Sequence, residues 1–204
     1  MESEQDEKAM GANTLAYVEG EVRARAHDHD AGVLEALSNQ DYRQAVALSA
    51  RAHGAAVGRM CMALVGSQAE AQELAQETFV AAYTAFQNYR GDGTVRAFLY
   101  GIARRMCSRH VELRVRRDAK LRLVHDAGPV EADAAEMVGL RQRAERARLA
   151  LDGLRPTERD AVVLRFQGEL SFREVAEACG IDEATARKRV SRAIARLRTS
   201  LGDS

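Results

Sequence analysis

The stretch that decides the fold is Ser171–Leu197, which reads SFREVAEACGIDEATARKRVSRAIARL. Ser171 and Glu174 have the spacing of a capping box, which begins a short helix. Gly180 can take the left-handed conformation that ends this helix, and Asp182 is a good N-cap for the next one. Two short helices joined by a tight glycine turn predict a helix-turn-helix.

The second helix of this motif has two chemically different faces. Its apolar side chains fall in one arc at the helical period of about 3.6 residues, namely Ala186, Val190, Ala193, Ile194 and Leu197. The opposite arc carries Arg187, Lys188, Ser191 and Arg192. In a major groove, Arg can pair with guanine through two hydrogen bonds, and Lys and Ser can reach phosphates or base edges. The pattern predicts a DNA-binding face; the alternative is an Arg-rich surface that contacts only solvent.

Composition narrows the class of protein. The chain has 204 residues, with 30 Lys and Arg, 30 Asp and Glu, two Pro and three widely spaced Cys. We expect no membrane insertion, because no apolar run reaches about 18 residues and the N-terminus is acidic. Separated cysteines predict neither a disulfide framework nor a Cys-ligated zinc site, so we expect a cytoplasmic protein. His27–Asp30 lacks further metal ligands and no catalytic motif is present, so neither an enzyme nor a cofactor is predicted.

Charge divides the chain into four segments. Residues 1–40 hold nine acidic and three basic residues, 41–118 hold seven and eleven, 119–138 hold four and two, and 139–204 hold ten and fourteen. Two basic segments favour a polyanionic partner. A Gly-Pro turn and the absence of a sustained apolar period predict a linker over 119–138. We therefore expect an all-α protein with two small, independently packed helical domains on a flexible tether, preceded by an acidic extension.

The domain at 41–118 has the pattern of three helices. The first ends at Gly66, and Ser67 lies three residues before Glu70, as in a capping box. The second helix carries a stripe of carboxylates bordered by an apolar side chain, formed by Glu70, Glu73, Glu77 and Val80. The glycine-containing loop Asn88–Thr94 separates it from the third, whose predicted outward side chains are Arg96, Tyr100, Arg104 and Ser108.

The acidic extension at residues 1–40 has two interpretations. An acidic segment tethered to basic domains has a high effective concentration there and could weaken DNA binding by the free protein. Alternatively it is a solubilising or partner-binding tail with an amphipathic turn around Leu15, Val18 and Val22. We favour the tail.

Three motifs, in this order, carry a resemblance to a known family. They are EAQELAQETF at Glu70–Phe79, YRGDGTVRAFLYGIAR at Tyr89–Arg104, and LRPTERDAVVLRF at Leu154–Phe166, the last followed by the helix-turn-helix. Together they resemble regions 2 and 4 of the extracytoplasmic-function (ECF) group of bacterial sigma factors, the minimal sigma-70 relatives. The likeness covers roughly residues 41–115 and 139–200.

The resemblance implies a role for particular residues. The matches to the helix that binds the core polymerase clamp are Glu73, Leu74, Gln76, Glu77 and Phe79. The matches to the elements that melt and capture the promoter −10 element are Asn88, Tyr89, Arg90, Asp92, Thr94, Arg96, Arg104 and Arg105. The matches to the face that reads the −35 element are Arg187, Lys188, Ser191 and Arg192, the same four residues that the helical pattern selects.

These matches imply a sigma factor that binds core RNA polymerase and promoter DNA and directs transcription initiation. They also imply an anti-sigma partner. The alternative is a stand-alone helix-turn-helix regulator, which would have no use for the Glu70–Phe79 helix beside a melting loop.

Overall fold

A computed structural model describes residues 30–122 and 146–202, which we call the N-terminal and C-terminal blocks. The N-terminal block contains α1 (residues 30–38), α2 (Tyr42–Val65), α3 (Gln68–Ala85), the 3-10 turn Phe86–Asn88 and α4 (Val95–Arg122). The C-terminal block contains α5 (residues 146–152), α6 (Pro156–Phe166), α7 (Phe172–Cys179) and α8 (Glu183–Gly202). Neither block contains a strand, which confirms the all-α class.

Helices α2, α3 and α4 pack into the bundle that forms the N-terminal block. Gly66 ends α2 with φ of 76°, and the Ser67 hydroxyl accepts from the backbone N–H of Glu70 at 3.5 Å. The Glu70 side chain does not complete a capping box. It pairs instead with His110 and Arg114 of α4, at 3.2 and 2.9 Å, and so joins α3 to α4.

Helix α1 belongs to the bundle, although its residues fall in the predicted acidic extension. Val33 and Ala36 are buried, and the Asp30 carboxylate lies 2.7 Å from Nε2 of His53 on α2. The apolar pattern of α2 is interrupted at His53 because this position holds the partner of Asp30. Packing therefore extends to residue 30, while residues 1–29, with the His27–His29 run and the Leu15–Val22 turn, lie outside the described residues.

The C-terminal block confirms the predicted helix-turn-helix. The capping box is complete, since Ser171 accepts from the Glu174 N–H and the Glu174 carboxylate accepts from the Ser171 N–H at 2.8 Å. Gly180 ends α7 with φ of 66°, and the Asp182 carboxylate accepts from the Thr185 N–H at 2.8 Å to begin α8. The interior of the block is apolar, with Leu164, Leu170, Val175, Ala186 and Val190 buried.

The two blocks pack against each other, whereas the sequence predicted independent domains on a tether. Tyr100, predicted to face outward, is 1% exposed and belongs to the same buried cluster as Leu164 and Leu170 of the C-terminal block. A side chain on Gly168 would meet the Tyr100 ring. Along the chain, α4 continues to Arg122, so residues 119–122 of the predicted linker are helical, and residues 123–138 lie outside the described part.

Candidate nucleic-acid and protein interfaces

Helix α8 presents the predicted −35 residues on one exposed face. Ala186, Val190 and Ala193 are buried against α6 and α7, which fixes the rotation of α8 about its axis. All four residues of the −35 face are exposed as a result: Arg187, Lys188, Ser191 and Arg192. Each of the three basic side chains can therefore reach a DNA groove or backbone.

Phe172, the first residue of α7, positions one of these side chains. The Arg187 guanidinium carbon lies 4.4 Å from the centre of the Phe172 ring, and that of Arg165 lies 4.9 Å from it. Such contacts between a cation and an aromatic face are attractive. Glu183, one turn earlier on α8, forms an ion pair with Arg187. No sequence pattern marks Phe172 for this role, because cation–π pairing depends on how α7 and α8 cross.

The predicted −10 loop is built on a group of aromatic rings. The Phe98 ring stacks on Phe86 at 5.6 Å between centres and meets Tyr89 edge to face at 5.0 Å. The Tyr89 hydroxyl donates to the carbonyl of Gly93, and Gly91 has a φ of 76°, in the region that favours glycine. The loop conformation is therefore fixed by packing and by one hydrogen bond across it.

A cavity of about 250 Å³ opens beside this loop. Six of the eight predicted −10 residues line it: Asn88, Tyr89, Arg90, Asp92, Thr94 and Arg105. Burial, with the negative charges of Asp30, Glu177 and Asp92, raises the pKa of Tyr89 to about 12. Its hydroxyl thus stays protonated at neutral pH. Burial, with the neighbouring Arg104 charge, lowers the pKa of Arg105.

The C-terminal block closes one side of the cavity and contacts the two predicted −10 residues that do not line it. Glu177 and Ala178 of α7 line it on this side, opposite Gly101 of α4. The Arg104 guanidinium donates to the Asp160 carboxylate at 3.0 Å and to the Ala178 carbonyl at 3.3 Å. Arg96 donates to the Glu169 carbonyl at 3.4 Å. The sequence could not reveal these contacts, because nothing in it pairs α4 with α6 and α7.

Glu174 and Asp160 respond differently to this interface. Burial opposes ionisation of Glu174, but hydrogen bonds from Ser171 and Thr94 and the charge of Arg96 outweigh it, so the pKa of Glu174 is lowered. For Asp160, burial outweighs the hydrogen bond and charge of Arg104 and the hydrogen bond of Ser108, so its pKa is raised. Glu174 is thus held firmly as a carboxylate, and Asp160 is a desolvated partner of Arg104.

Helix α3 presents a mixed acidic and apolar surface, which we call the docking face. Its members are Glu73, Gln76, Glu77, Val80 and Tyr83, and Val80 is 74% exposed. Leu74 and Phe79, predicted to bind polymerase, do not belong to this face. Leu74 is buried, and the half-buried Phe79 packs against buried apolar residues of the bundle. Both side chains pack α3 against the rest of the bundle. Tyr83, absent from the sequence prediction, falls three residues after Val80 and extends the exposed face.

The described residues contain no other site of recognisable chemistry. Within these two blocks no group of three His, Cys, Asp or Glu could hold a metal ion, and no helix is both long and apolar enough to cross a membrane. Cys61 and Cys107 are buried, and their mutual hydrogen bond together with burial raises the pKa of the Cys107 thiol. They are packing residues.

Comparison with known proteins identifies both blocks. The sigma-70 region 2 family matches residues 49–117, and the sigma-70 region 4 family matches residues 144–197. The RNA polymerase sigma-H factor of Pseudomonas aeruginosa is 34% identical over 134 residues, covering 61% of this chain and 69% of the relative.

Two further relatives belong to the ECF group. The ECF RNA polymerase sigma factor SigE of Mycolicibacterium smegmatis is 33% identical over 157 residues, 74% of this chain and 59% of the relative. SigG of Mycobacterium tuberculosis is 28% identical over 162 residues, 68% of this chain and 44% of the relative. The chain thus spans about half the length of these two relatives.

Solved structures share the fold. CnrH, in complex with the cytosolic domain of CnrY, aligns with a TM-score of 0.62 at 21% identity over 86% of this chain and 99% of that one. The sigma factor RpoE of Bartonella quintana, in complex with the anti-sigma factor NepR, aligns with a TM-score of 0.57 at 23% identity over 80% and 98%. The two family matches and the relatives' identities carry the assignment: the chain belongs to the sigma-70 family, in its extracytoplasmic-function group.

Proposed function

We propose that this chain is a sigma factor that binds core RNA polymerase and directs transcription initiation at specific promoters. One observation carries the proposal: an exposed acidic and apolar face on α3 occurs in the same chain as an exposed basic face on a helix-turn-helix. A stand-alone regulator needs only the second. The protein acts by binding, in the cytoplasm, and catalyses no covalent reaction of its own.

The C-terminal block reads the −35 element. Arg187 and Arg192 make hydrogen bonds with base edges in the major groove, and Lys188 and Ser191 contact the DNA backbone. A good bidentate pair discriminates against the wrong base by about 1–3 kcal/mol. The exposed guanidinium groups and the fixed rotation of α8 support this assignment.

The N-terminal block opens and holds the −10 element. Flipping a base out of the duplex requires a few kcal/mol of unstacking, which a pocket and nearby cations must offset. The cavity beside Tyr89 provides the pocket, while Arg96, Arg104 and Arg105 provide the cations. Domain limits of 41–118 and 139–204 describe these functions, with α1 added to the first domain on structural grounds.

The docking face on α3 binds the polymerase. Glu73 and Glu77 are exposed on α3 within the two turns that precede the exposed Val80, an arrangement suited to a partner with basic side chains beside an apolar one. CnrH, whose fold this chain shares, was solved in complex with the cytosolic domain of CnrY, and RpoE in complex with the anti-sigma factor NepR. By analogy with them, we propose that an anti-sigma factor regulates this chain.

In vitro transcription tests the proposal. Purified protein and bacterial core polymerase are incubated with a library of genomic fragments, and start sites are mapped. We expect initiation only when both proteins are present, and loss of initiation and of core binding in Glu73→Lys/Glu77→Lys. Glu35→Lys/Glu112→Lys is the matched control, because it reverses two exposed acids of the same block away from the docking face. Operator binding with no polymerase-dependent initiation would favour the regulator.

A further inference from the structure

Contacts from the C-terminal block converge on the residues assigned to the −10 element. Thr94 donates to the Glu174 carboxylate at 2.7 Å, and Arg104 donates to the Asp160 carboxylate at 3.0 Å. Arg96 lies 4.0 Å from Glu174. Two carboxylates thus lie beside the hydroxyl and the cations that would hold a displaced DNA strand. We call these five residues the block interface.

The backbones approach so closely that no nucleotide fits between the blocks. A Cβ atom on Gly101 of α4 would lie 3.3 Å from the carbonyl oxygen and 3.4 Å from the Cα of Ala178 on α7. Because α7 rests directly on α4, the cavity beside Tyr89 is closed on this side by Glu177 and Ala178. A displaced strand whose phosphates reach Thr94, Arg96 and Arg104 would have to displace the C-terminal block, because these three side chains are already bonded to it.

We propose that the free chain masks its own −10 site: Asp160 and Glu174 occupy the place of promoter phosphates, and α7 must leave α4 before single-stranded DNA can enter. The inference rests on the proposed −10 role of the N-terminal block. Masking is selective, since the docking face and the −35 face are both exposed in the same closed arrangement.

Charge pairing makes the closed arrangement sensitive to substitution. Arg104 and Asp160 are largely buried, with 19% and 10% of their side chains exposed. Removing one member of a buried pair leaves the other desolvated without a partner, which is strongly unfavourable. The loss of either carboxylate should therefore shift the chain toward an open form. If the open form is about a tenth of the free chain, complete opening raises the apparent DNA affinity about tenfold.

The first test removes both carboxylates in the full-length chain. In Glu174→Gln/Asp160→Asn, Gln can still complete the capping box of α7. We expect faster amide hydrogen exchange in residues 88–101, and severalfold tighter binding of a fluorescent, mixed-sequence, single-stranded oligonucleotide in the absence of polymerase. Glu35→Gln/Asp152→Asn removes the same charge from exposed positions and controls for net charge.

The second test opens the interface without changing charge. Gly101→Leu places a side chain where Ala178 lies, in a helix that Leu favours over Gly. Gly54→Leu is the matched control, because a Cβ on this helical glycine meets nothing within 4 Å. We expect Gly101→Leu to reproduce the faster amide exchange in residues 88–101, while a thermal melt verifies that each variant is folded. Because Gly101 also lines the cavity beside Tyr89, oligonucleotide affinity is judged from the charge variant alone.

Two outcomes would overturn the inference. Exchange in residues 88–101 that is unchanged in Gly101→Leu would show that the blocks do not close on each other in solution. Faster exchange with unchanged oligonucleotide affinity in Glu174→Gln/Asp160→Asn would show that the closed face is not a DNA site. Neither outcome bears on polymerase-dependent initiation by the wild-type chain, so failure of the inference can be distinguished from failure of the proposed function.

Discussion

At the scale of single residues, the buried pair of Asp30 and His53 attaches α1 to the bundle. Only 2% of the Asp30 and 7% of the His53 side chain is exposed, and their atoms lie 2.7 Å apart. We predict that Asp30→Ala lowers the free energy of unfolding by about 1–3 kcal/mol, because His53 keeps its burial and loses its partner. Denaturant unfolding measures this. Asp30→Leu/His53→Leu should lose less than the single change; a larger loss would contradict the pairing argument.

A second residue-scale prediction concerns Phe172 and Arg187. If the ring orients the guanidinium for base contact, Phe172→Leu should weaken binding to a −35 duplex and relax the preference for the base that Arg187 reads. A double-mutant cycle with Arg187→Ala should give a coupling of about 0.5–1 kcal/mol. Phe172→Tyr, which keeps the aromatic face, should restore the preference. Additive losses in the cycle would indicate that Phe172 is only a packing residue.

Helical periodicity placed most residues on the correct faces but could not show which face meets solvent. Leu74 and Phe79 lie on motif positions that the resemblance linked to polymerase, yet both point into the bundle. Tyr100 falls on the arc predicted to be exposed and is buried, because another part of the chain covers it. Burial of this kind depends on contacts between distant segments, and no local pattern encodes it.

At the scale of elements, the capping box of α7 also holds the block interface together. Glu174 accepts hydrogen bonds from Ser171 and Thr94 and faces Arg96, which together lower its pKa against the effect of burial. A carboxyl with a lowered folded pKa stabilises the fold above its ordinary pKa of 4.5, and this contribution is lost as pH falls through the folded pKa.

We therefore predict a pH-dependent difference between wild type and Glu174→Gln. At pH 7 the wild type should be more stable by about 1 kcal/mol, because hydrogen bonds to a charged acceptor contribute more than hydrogen bonds to a neutral amide. Denaturant unfolding at a series of pH values should show the difference shrinking below pH 4.5. A difference that stays constant down to the lowest pH would mean that ionised Glu174 contributes nothing.

Helix α1 gives the other element-scale prediction. Val33 and Ala36 are 0% and 3% exposed, so a chain that begins at residue 39 leaves the cluster around Val95 and Leu99 open to water. We expect it to be less stable by several kcal/mol than a chain that begins at residue 30, because burying one Val side chain contributes about 1.5–3 kcal/mol. Equal unfolding midpoints would contradict this packing. A test of the acidic extension should accordingly stop at residue 29.

Local sequence signals predicted some of these structural elements and missed others. The caps at Ser171, Gly180 and Asp182 were predictable, because capping depends on residues within one turn. Helix α1 was missed for two reasons. Its acidic residues continue the acidic composition of the segment before it, and Asp30 pairs with His53, which lies 23 residues further along the chain. The close contact of α4 with α7 joins segments about 75 residues apart and has no sequence signature.

At the scale of the whole molecule, the closed arrangement suggests an order of events. The docking face on α3 and the proposed −35 face on α8 are exposed, while Thr94 and Arg104, proposed to hold the −10 element, pair with Glu174 and Asp160. If the chain functions as proposed, polymerase and −35 DNA can therefore bind before the blocks separate. A ligand shifts a conformational equilibrium only by its differential affinity for the two forms. Opening therefore requires a contact beyond the docking face and the proposed −35 face, because the closed chain already exposes both.

The last prediction concerns the first of these steps. Because the docking face is exposed in the closed chain, opening the blocks should leave the intrinsic contact with polymerase unchanged. We expect Gly101→Leu and Gly54→Leu to bind an isolated polymerase clamp fragment within about twofold of wild type, even though Gly101→Leu places a side chain against Ala178 and opens the blocks. The fragment reports on the docking face alone, whereas the affinity of any partner that engages only the open form would rise in proportion to the open fraction. Clamp binding that tightens selectively in Gly101→Leu would place part of the docking face under the C-terminal block and contradict the exposed α3.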